Sequence, residues 1–348
     1  MSKQLLKIGM PAGSLANPDR GGNLLLLLET AGFKTSGYEK GGPSKFSTIN
    51  FLFGWDGRPQ EFGAQLCLNE IDVAIAGDDW INERKLELHF EYNSNIELEK
   101  VLSLNRGGVR IVGVVNQDNE QETIIDFLKS ISDQNLITVV AEMPYLALNW
   151  IQNKLKQAGL FEKYANFSVQ KYKTPSKIKQ GVVIYETWGK TEAKVKNKGA
   201  DIGVEITQSG SSLKNYGLKV LDTLMTSETS IWINPKLKEN AEKNELLEMF
   251  LVNLYGAVNA ENKVMVIFNV ANIYKPDIEN FLKKNYLYAD EPTTNVGKSF
   301  TEFSIQIDTN NKDIPLAKLR YELAKRKAVN INTVPISSSI QSIDILDL

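Results

Sequence analysis

Residues 199–213, Gly-Ala-Asp-Ile-Gly-Val-Glu-Ile-Thr-Gln-Ser-Gly-Ser-Ser-Leu, constrain the fold of this chain most strongly. An apolar, β-prone run from Ile202 to Ile206 carries an acid, Glu205, near its tip. A loop of small and hydroxyl residues follows, Thr207-Gln208-Ser209-Gly210-Ser211-Ser212, and Leu213 opens a short helix. A buried strand that breaks into a loop and then a helix belongs to an α/β sheet, with sites at the strand C-terminal ends. Successive amides at a helix start, with hydroxyls beside them and a glycine that lets a ligand close in, form an anion cradle. Glu205 is placed to hold sugar hydroxyls, so the unit suits a sugar phosphate. An ordinary strand–turn–helix with a serine N-cap explains the same local pattern.

The same grammar recurs upstream. Lys7–Ser14 reads as a strand ending in a Pro/Gly turn, and Asn23 through Gly32 as a helix with a glycine stop. Gln65–Glu70 reads as a helix and Ile71–Gly77 as the buried strand after it, while Gly41-Gly42-Pro43 and Gly54–Pro59 are loops by composition. Val109–Val115 begins a second α/β unit, with helices at about 120–131 and 144–158 and strands near 137–141 and 181–185. Gly217–Leu221 and Ser230–Ile233 then carry the chain back toward the first unit. Leu247, Leu251, Leu254 and Val258 share one helical face within 236–260. Beyond them come a strand at Lys263–Val270, a helix at Pro276–Lys284, and strands near 286–294 and at Phe300–Ile307. A helix capped by Asp313 and running to about Val329, then a strand at Ile331–Ile336, complete a βαββαβ order, the ferredoxin-like pattern. The expected domains are 1–106 with 217–245, then 107–216, then 246–348.

Composition narrows the chemistry. At 348 residues the chain exceeds one ordinary core, and 42% hydrophobic with 24% charged residues is the make-up of a folded soluble protein. The balance of 40 basic against 42 acidic residues argues against a general nucleic-acid surface. There is no signal-like apolar region at the start and no run approaching the roughly 18 apolar residues of a membrane span, so the expected location is cytoplasmic. Cys67 is the only cysteine and His89 the only histidine, which excludes an internal disulfide and a Cys/His zinc site. No Cys-His or Ser-His pair has signature spacing. The chemistry available is that of carboxylates, hydroxyls, backbone amides and a magnesium ion.

The order of residues from Gly189-Lys-Thr-Glu192 through Asp201, Glu205, Ser209-Gly210-Ser211-Ser212-Leu213 and Asn215-Tyr-Gly-Leu218 resembles the phosphoribosyl-pyrophosphate loop of ATP phosphoribosyltransferases. These are the first enzymes of histidine biosynthesis. Two positions differ in kind but keep their chemistry: glutamate replaces the usual aspartate at 205, and serine replaces threonine at 212. The resemblance implies a two-lobed core of the type II periplasmic-binding-protein kind and a C-terminal ferredoxin-like module of the long form, where histidine binds as feedback inhibitor. It also implies condensation of ATP with phosphoribosyl pyrophosphate to phosphoribosyl-ATP and pyrophosphate, with Mg²⁺ as cofactor and a homo-oligomer, dimer or hexamer. Glu205 then becomes the catalytic acid, and Thr207, Gln208, Ser209, Gly210, Ser211 and Ser212 hold the 5-phosphate.

Further positions follow the family pattern toward the nucleotide or pyrophosphate: Gly77 and Asp78 with Asp79 after the 71–77 strand, Arg58, Arg106 and Arg110, and Glu192. The guanidinium of Arg58 is well shaped for pyrophosphate oxygens. Gly13 and Ser14 occupy the first loop, where the family carries a basic pair and this chain reads Pro11-Ala12-Gly13-Ser14. Arg20 or Lys45 are the candidates to replace that pair. Segments near 38–47 and 84–100 have no counterpart in the family pattern. A non-catalytic nucleotide- or amino-acid-binding homologue is the alternative reading, and a transporter's solute-binding protein is disfavoured by the expected lack of a signal peptide.

Overall fold

The computed structural model describes residues 4–12, 22–38, 44–47, 49–288 and 292–346. The chain divides into two compact units. The first holds 1–26 and 34–247 with the last residue, the second 27–33 and 248–347.

In the first unit the described strands are β1 (Leu6–Pro11), β2 (Thr35–Ser36), β3 (Lys45–Phe46), β4 (Leu52–Gly57), β5 (Val73–Gly77), β6 (Glu99–Asn116), β7 (Leu136–Ala141), β8 (Phe167–Lys171), β9 (Gly181–Glu186), β10 (Ile202–Thr207) and β11 (Leu218–Ile233). Their order across one sheet is β2-β3-β4-β1-β5-β11-β6-β10-β7-β9-β8. β4, β1 and β5 pair in parallel on one side, and β10, β7, β9 and β8 in parallel on the other. Between them β11 and β6 run antiparallel, joined through five register shifts. Bulges of this kind bend and twist a ladder, so two parallel patches share one continuous sheet.

The helices of this unit are α2 (Pro59–Cys67), α3 (Asp78–Tyr92), α4 (Ile124–Ser130), α5 (Pro144–Ala158), α6 (Thr191–Lys196) and α7 (Ser211–Asn215), with α1 (Leu24–Thr30) and α8 (Ala241–Ala260) each falling across the division of the chain. Ile111, Val112, Val114 and Val115 of β6 are all fully buried. Both faces of this part of the sheet are covered, which is why the run is apolar without alternation. Ile111, Val139, Ile184 and Val204 meet α4 and α5 on one face. Val112, Val140, Val183 and Leu213 form the core on the other, with Val195 of α6. α5 has proline in its first turn and Gly159 in the left-handed conformation just past its end, the sequence signals that bound it.

Several expectations need correction. Gly54–Pro59 is not a loop: residues 52–57 form β4, paired in parallel with β1. The glycine belongs there because Ser44 packs against it, and a Cβ on Gly54 would lie 2.6 Å from the Ser44 Cβ. The helix expected at 65–70 starts earlier, at Pro59, and ends at Cys67. Gly217–Leu221 and Ser230–Ile233 are the two ends of a single strand, β11, whose polar middle stays in the ladder through its bulges. Gly41–Pro43 lie outside the described residues.

In the second unit the strands are β12 (Lys263–Ala271), β13 (Thr293–Val296), β14 (Phe300–Asp308) and β15 (Val329–Pro335), in the antiparallel order β13-β14-β12-β15. α9 (Lys275–Lys284) and α10 (Leu316–Lys325) cover one face. Ile278, Leu282, Leu319 and Leu323 from the helices meet Val266, Phe268, Phe303 and Ile305 from the sheet. The rings of Phe268 and Phe303 stack with centroids 5.2 Å apart. Asp313 does not cap α10: Pro315 holds the N-cap position, and the Asp313 amide donates instead to Asn311 Oδ1 at 3.0 Å. The strand expected at 286–294 is described only as Thr293–Val296.

Candidate functional site

β10 enters the sheet fully apolar, with Ile202 and Val204 buried, and then exposes its C-terminal end to the start of two short helices. At that end the structure brings together Glu205, the 207–212 loop and Glu192. Gly210 sits at φ +77° as the residue before α7, a conformation that favours glycine. A Cβ built on it meets nothing within 4 Å, although the Gly210 backbone itself is buried. The Gly210 amide donates to Thr207 Oγ1 at 2.9 Å, and the Ser211 amide to Ser209 Oγ at 3.3 Å. Ser209 and Ser211 hydroxyls lie 2.7 Å apart. Two of the expected cradle amides therefore already have hydroxyl acceptors. Ser212 Oγ reaches Glu192 Oε1 at 3.5 Å, which ties the starts of α6 and α7 together. Gln208 is exposed beside them.

Glu205 and Glu192 form the electrostatic centre of this corner. Burial pushes the Glu205 carboxyl up to about 7, and the adjacent Glu192 carboxyl, in hydrogen-bond contact with it, adds to the rise. The Thr191 hydroxyl and the Glu192 amide oppose the shift. Glu205 Oε1 is buried and meets no donor among the described residues. Asp201 has a different task. Its Oδ2 accepts from the amide and the hydroxyl of Thr138, at 2.8 and 2.6 Å, and so pins β10 to β7.

The sheet register places the other candidates. Thr207 of β10 lies opposite Arg110 of β6, which lies opposite Thr226 of β11. Three residues along β11, Thr229 lies between Gly77 of β5 and Arg106 of β6. Three residues of strand is about 10 Å, so Gly77 and Asp78 sit one short step from the Arg110 row. Arg110 is exposed, with no polar partner among the described residues. Arg106 is committed to backbone: its Nε donates to Gly22 O at 2.6 Å and its Nη1 to Leu104 O at 2.9 Å. Asp78 is likewise engaged, with Lys100 Nζ at 2.8 Å on one oxygen and Trp232 Nε1 at 3.2 Å on the other. Asp79 is buried and its carboxyl raised, by burial first and by Asp78 last, against bonds from Trp80 and Ser227. Arg58 is exposed at the start of α2. Gly13, Ser14 and Arg20 lie outside the described residues, while Lys45 lies in the short strand β3, one strand in from the sheet's edge.

Sequence reasoning missed Glu83. This buried residue of α3 accepts from the Tyr145 amide at 3.0 Å and the Leu146 amide at 2.7 Å, filling the N-terminus of α5. Tyr145 also donates its hydroxyl to Glu91 of α3 at 3.0 Å. A carboxylate at a helix N-terminus satisfies amides that have no intrahelical partner. Burial nevertheless pushes the Glu83 carboxyl up to about 8, outweighing those two bonds. The partners stand 62 and 63 residues away, and no spacing rule connects them.

Comparison with known proteins bears on this arrangement. The family model described as HisG: ATP phosphoribosyltransferase matches residues 58–256, more than half of the chain. An ATP phosphoribosyltransferase of Koribacter versatilis is 28% identical over 230 residues, which are 65% of this chain and 64% of that protein, just under two thirds of its length. One of Chlorobium phaeobacteroides is 27% identical over 301 residues, covering 82% of this chain and 86% of that protein. Among solved structures, the ATP phosphoribosyl transferase (HisG:HisZ) complex from Thermotoga maritima aligns with TM-score 0.48 at 16% identity, over 72% of this chain and 98% of that one. The family match spans β5 to β11, and with them both Glu192 and the 205–212 loop: the chain belongs to the ATP phosphoribosyltransferase family.

Proposed function

We propose that this protein condenses ATP with phosphoribosyl pyrophosphate at the β10–α7 corner. A ring nitrogen of adenine attacks the anomeric carbon of the ribose, the bond from that carbon to pyrophosphate breaks, and the configuration inverts. The observation that carries the reading is the pairing of two acids, Glu192 and Glu205, with a hydroxyl loop that leaves the space beside the Gly210 Cα unfilled. The acids accept from the ribose hydroxyls and favour the positive charge that develops at the anomeric carbon, an electrostatic role that needs no nucleophile. The 5-phosphate takes the place of the hydroxyls of Thr207 and Ser209 on the Gly210 and Ser211 amides, leaving those hydroxyls free to donate to it. Arg110, exposed opposite Thr207, faces the leaving pyrophosphate or the nucleotide. Positioning of this kind supplies most of what a displacement between two bound substrates requires.

No group of three or more metal-ligating side chains stands among the described residues. Mg²⁺ fits this site as an ion carried mainly by substrate oxygens, in keeping with its preference for phosphates and water. When bound it neutralises pyrophosphate charge. The test is turnover: purified protein with ATP, phosphoribosyl pyrophosphate and Mg²⁺, coupled to pyrophosphatase. Pyrophosphate release that is lost in Glu205→Gln supports the reading, and no release with both substrates bound refutes it.

The two parallel patches joined by β6 and β11 fit a two-lobed core of the periplasmic-binding-protein kind. The second unit fits a ferredoxin-like module, because its strands occur in βαββαβ order and both helices lie on one face. We infer that this module takes histidine as an inhibitor near the end of β12, at Ala271–Tyr274, and that the protein works as a homo-oligomer. Histidine titrated into the full-length protein during turnover tests it. Inhibition supports a regulatory module, and indifference to millimolar histidine assigns the module to assembly alone. No helix among the described residues is long and apolar enough to cross a membrane.

A further inference from the structure

We propose that Trp188 is the surface on which the adenine ring of the nucleotide stacks, so that the corner at the end of β10 takes its base on the β9 flank and its pyrophosphate on the β6 flank. The proposal rests on the condensation reading of this corner and adds the place of the attacking base.

Trp188 stands apart from the other tryptophans of the chain. It is 68% exposed, the most open of the five. The Trp150 indole N–H donates to Asp222 at 2.8 Å, and that of Trp232 to Asp78 at 3.2 Å. Trp188 has neither a hydrogen-bond partner nor a ring contact among the described residues. An indole is a large apolar surface with one polar edge, and such rings are enriched where a partner covers them.

The loop that carries this ring is anchored on both sides of it. Thr187 is buried, and its amide donates to Ala141 O at 3.0 Å, which carries the β7–β9 pairing one residue past the strand. Gly189 and Lys190 both take the left-handed backbone conformation, at φ +70° and +57°. The Lys194 ammonium donates to Gly189 O at 2.7 Å and to Lys190 O at 3.3 Å. A Cβ on Gly189 would meet nothing within 4 Å, so the space beside Trp188 is unfilled there. A ring presented on a held backbone has less freedom to lose when a ligand covers it.

The sheet sets where this ring stands. Glu186 of β9 pairs with Ala141 of β7, and Ala141 with Val204 of β10. The next residues, Thr187 and Glu205, are therefore level with each other and two strand spacings apart, about 10 Å. Trp188 follows at the C-terminal end of the parallel strands, the end at which such sheets bind ligands. On the other side of β10, Arg110 of β6 lies opposite Thr207. A ribose held at Glu205 thus has a guanidinium on one flank and an indole on the other. Inversion at the anomeric carbon needs the attacking nitrogen and the departing pyrophosphate on opposite sides of that carbon. The guanidinium suits the pyrophosphate, and the indole suits the base, because every base offers a π-face for stacking.

The experiment is tryptophan fluorescence and calorimetry on the full-length protein with adenosine, ATP and ribose 5-phosphate. Adenosine and ATP are expected to quench wild type, and the quench is lost in Trp188→Phe, which keeps a ring and with it close to wild-type affinity for ATP. Trp188→Ala should weaken adenosine and ATP alike, on the order of 10-fold, with ribose 5-phosphate affinity unchanged. The equal loss shows that the base is held there and not the phosphates. In turnover the Ala variant should raise KM for ATP by a similar factor and leave KM for phosphoribosyl pyrophosphate where it was. Wild-type affinity for ATP in Trp188→Ala overturns the proposal, as does a quench that survives in Trp188→Phe. A changed oligomeric state in the Ala variant at unaltered ATP affinity assigns the ring to an interface between copies instead. Adenosine binding that depends on Trp188, in a protein that never releases pyrophosphate, refutes condensation and keeps the base site. Turnover in which Trp188→Ala leaves KM for ATP unaltered keeps condensation and overturns the base site.

Discussion

Glu83 and Glu205 are both glutamates withdrawn from water, and both carboxyls are raised above their ordinary value by burial. Their surroundings differ. Glu83 has a backbone amide on each oxygen, so its corner is complete without any ligand. Glu205 has another acid beside it and an oxygen with no donor, next to a loop that leaves the space beside its glycine Cα unfilled. A buried carboxyl with all its bonds made holds helices together. One left short of donors, in a folded chain that could have supplied them, marks a place prepared for something else. The α3–α5 brace is architecture, and the β10–α7 corner is where we propose that the substrates bind.

Substitutions at the two corners should separate these roles. Gly210→Val is expected to weaken phosphoribosyl pyrophosphate binding on the order of 100-fold, comparable to losing a set of oxyanion donors. The branched side chain stands over the amides and disfavours the φ of +77° that the loop uses. Calorimetry reads the binding and circular dichroism the fold, and normal binding would move the cradle elsewhere. Glu83→Ala should do the reverse, costing about 2–3 kcal/mol of stability by leaving the Tyr145 and Leu146 amides buried without an acceptor. Glu83→Gln, which keeps an acceptor oxygen, should cost less. Urea unfolding measures both, and an Ala variant as stable as wild type would remove the brace from the account.

The pH dependence of stability joins the two corners. Each carboxyl has an ordinary value of 4.5 and a folded value raised to about 8 for Glu83 and about 7 for Glu205. Between those limits the folded state binds more protons than the unfolded one, so stability falls as pH rises, by at most about 1.4 kcal/mol per pH unit for each group. Glu205→Gln should remove the part of the fall that ends near 7, and Glu83→Gln the part that ends near 8. Unfolding free energies collected from pH 5 to pH 9 check this, and a flat wild-type profile contradicts it. The smallest effect is that of Ser209→Ala. It should lose about 1 kcal/mol of phosphate binding, or somewhat more because the acceptor is charged, with stability unchanged.

What the sequence made legible follows the range of its signals. α5 could be read at 144–158 because proline opens it, glycine closes it and its apolar residues recur on one face. The Glu205 loop could be read because its strand, turn glycine and hydroxyls are contiguous. α3 went unseen: Asp-Asp-Trp-Ile-Asn-Glu-Arg-Lys-Leu-Glu-Leu-His-Phe-Glu-Tyr shows no single apolar stripe, since Ile81 packs toward α2 and β5 while Trp80, Leu86 and Phe90 pack against the α5 core. With the helix unseen, its Glu83 contact to α5 had no local trace. β8 and the middle of β11 were missed for a related reason. Their polar residues are held by neighbouring strands, a tertiary effect that overrides local preference.

The most direct test of the account is a structure of the protein with phosphoribosyl pyrophosphate and Mg²⁺ bound. The account predicts the 5-phosphate on the Gly210–Ser212 backbone, with ribose hydroxyls between Glu192 and Glu205 and pyrophosphate turned toward Arg110. A ligand seated elsewhere, with Glu192 and Glu205 still in contact and the Gly210 amide still on Thr207, would contradict it.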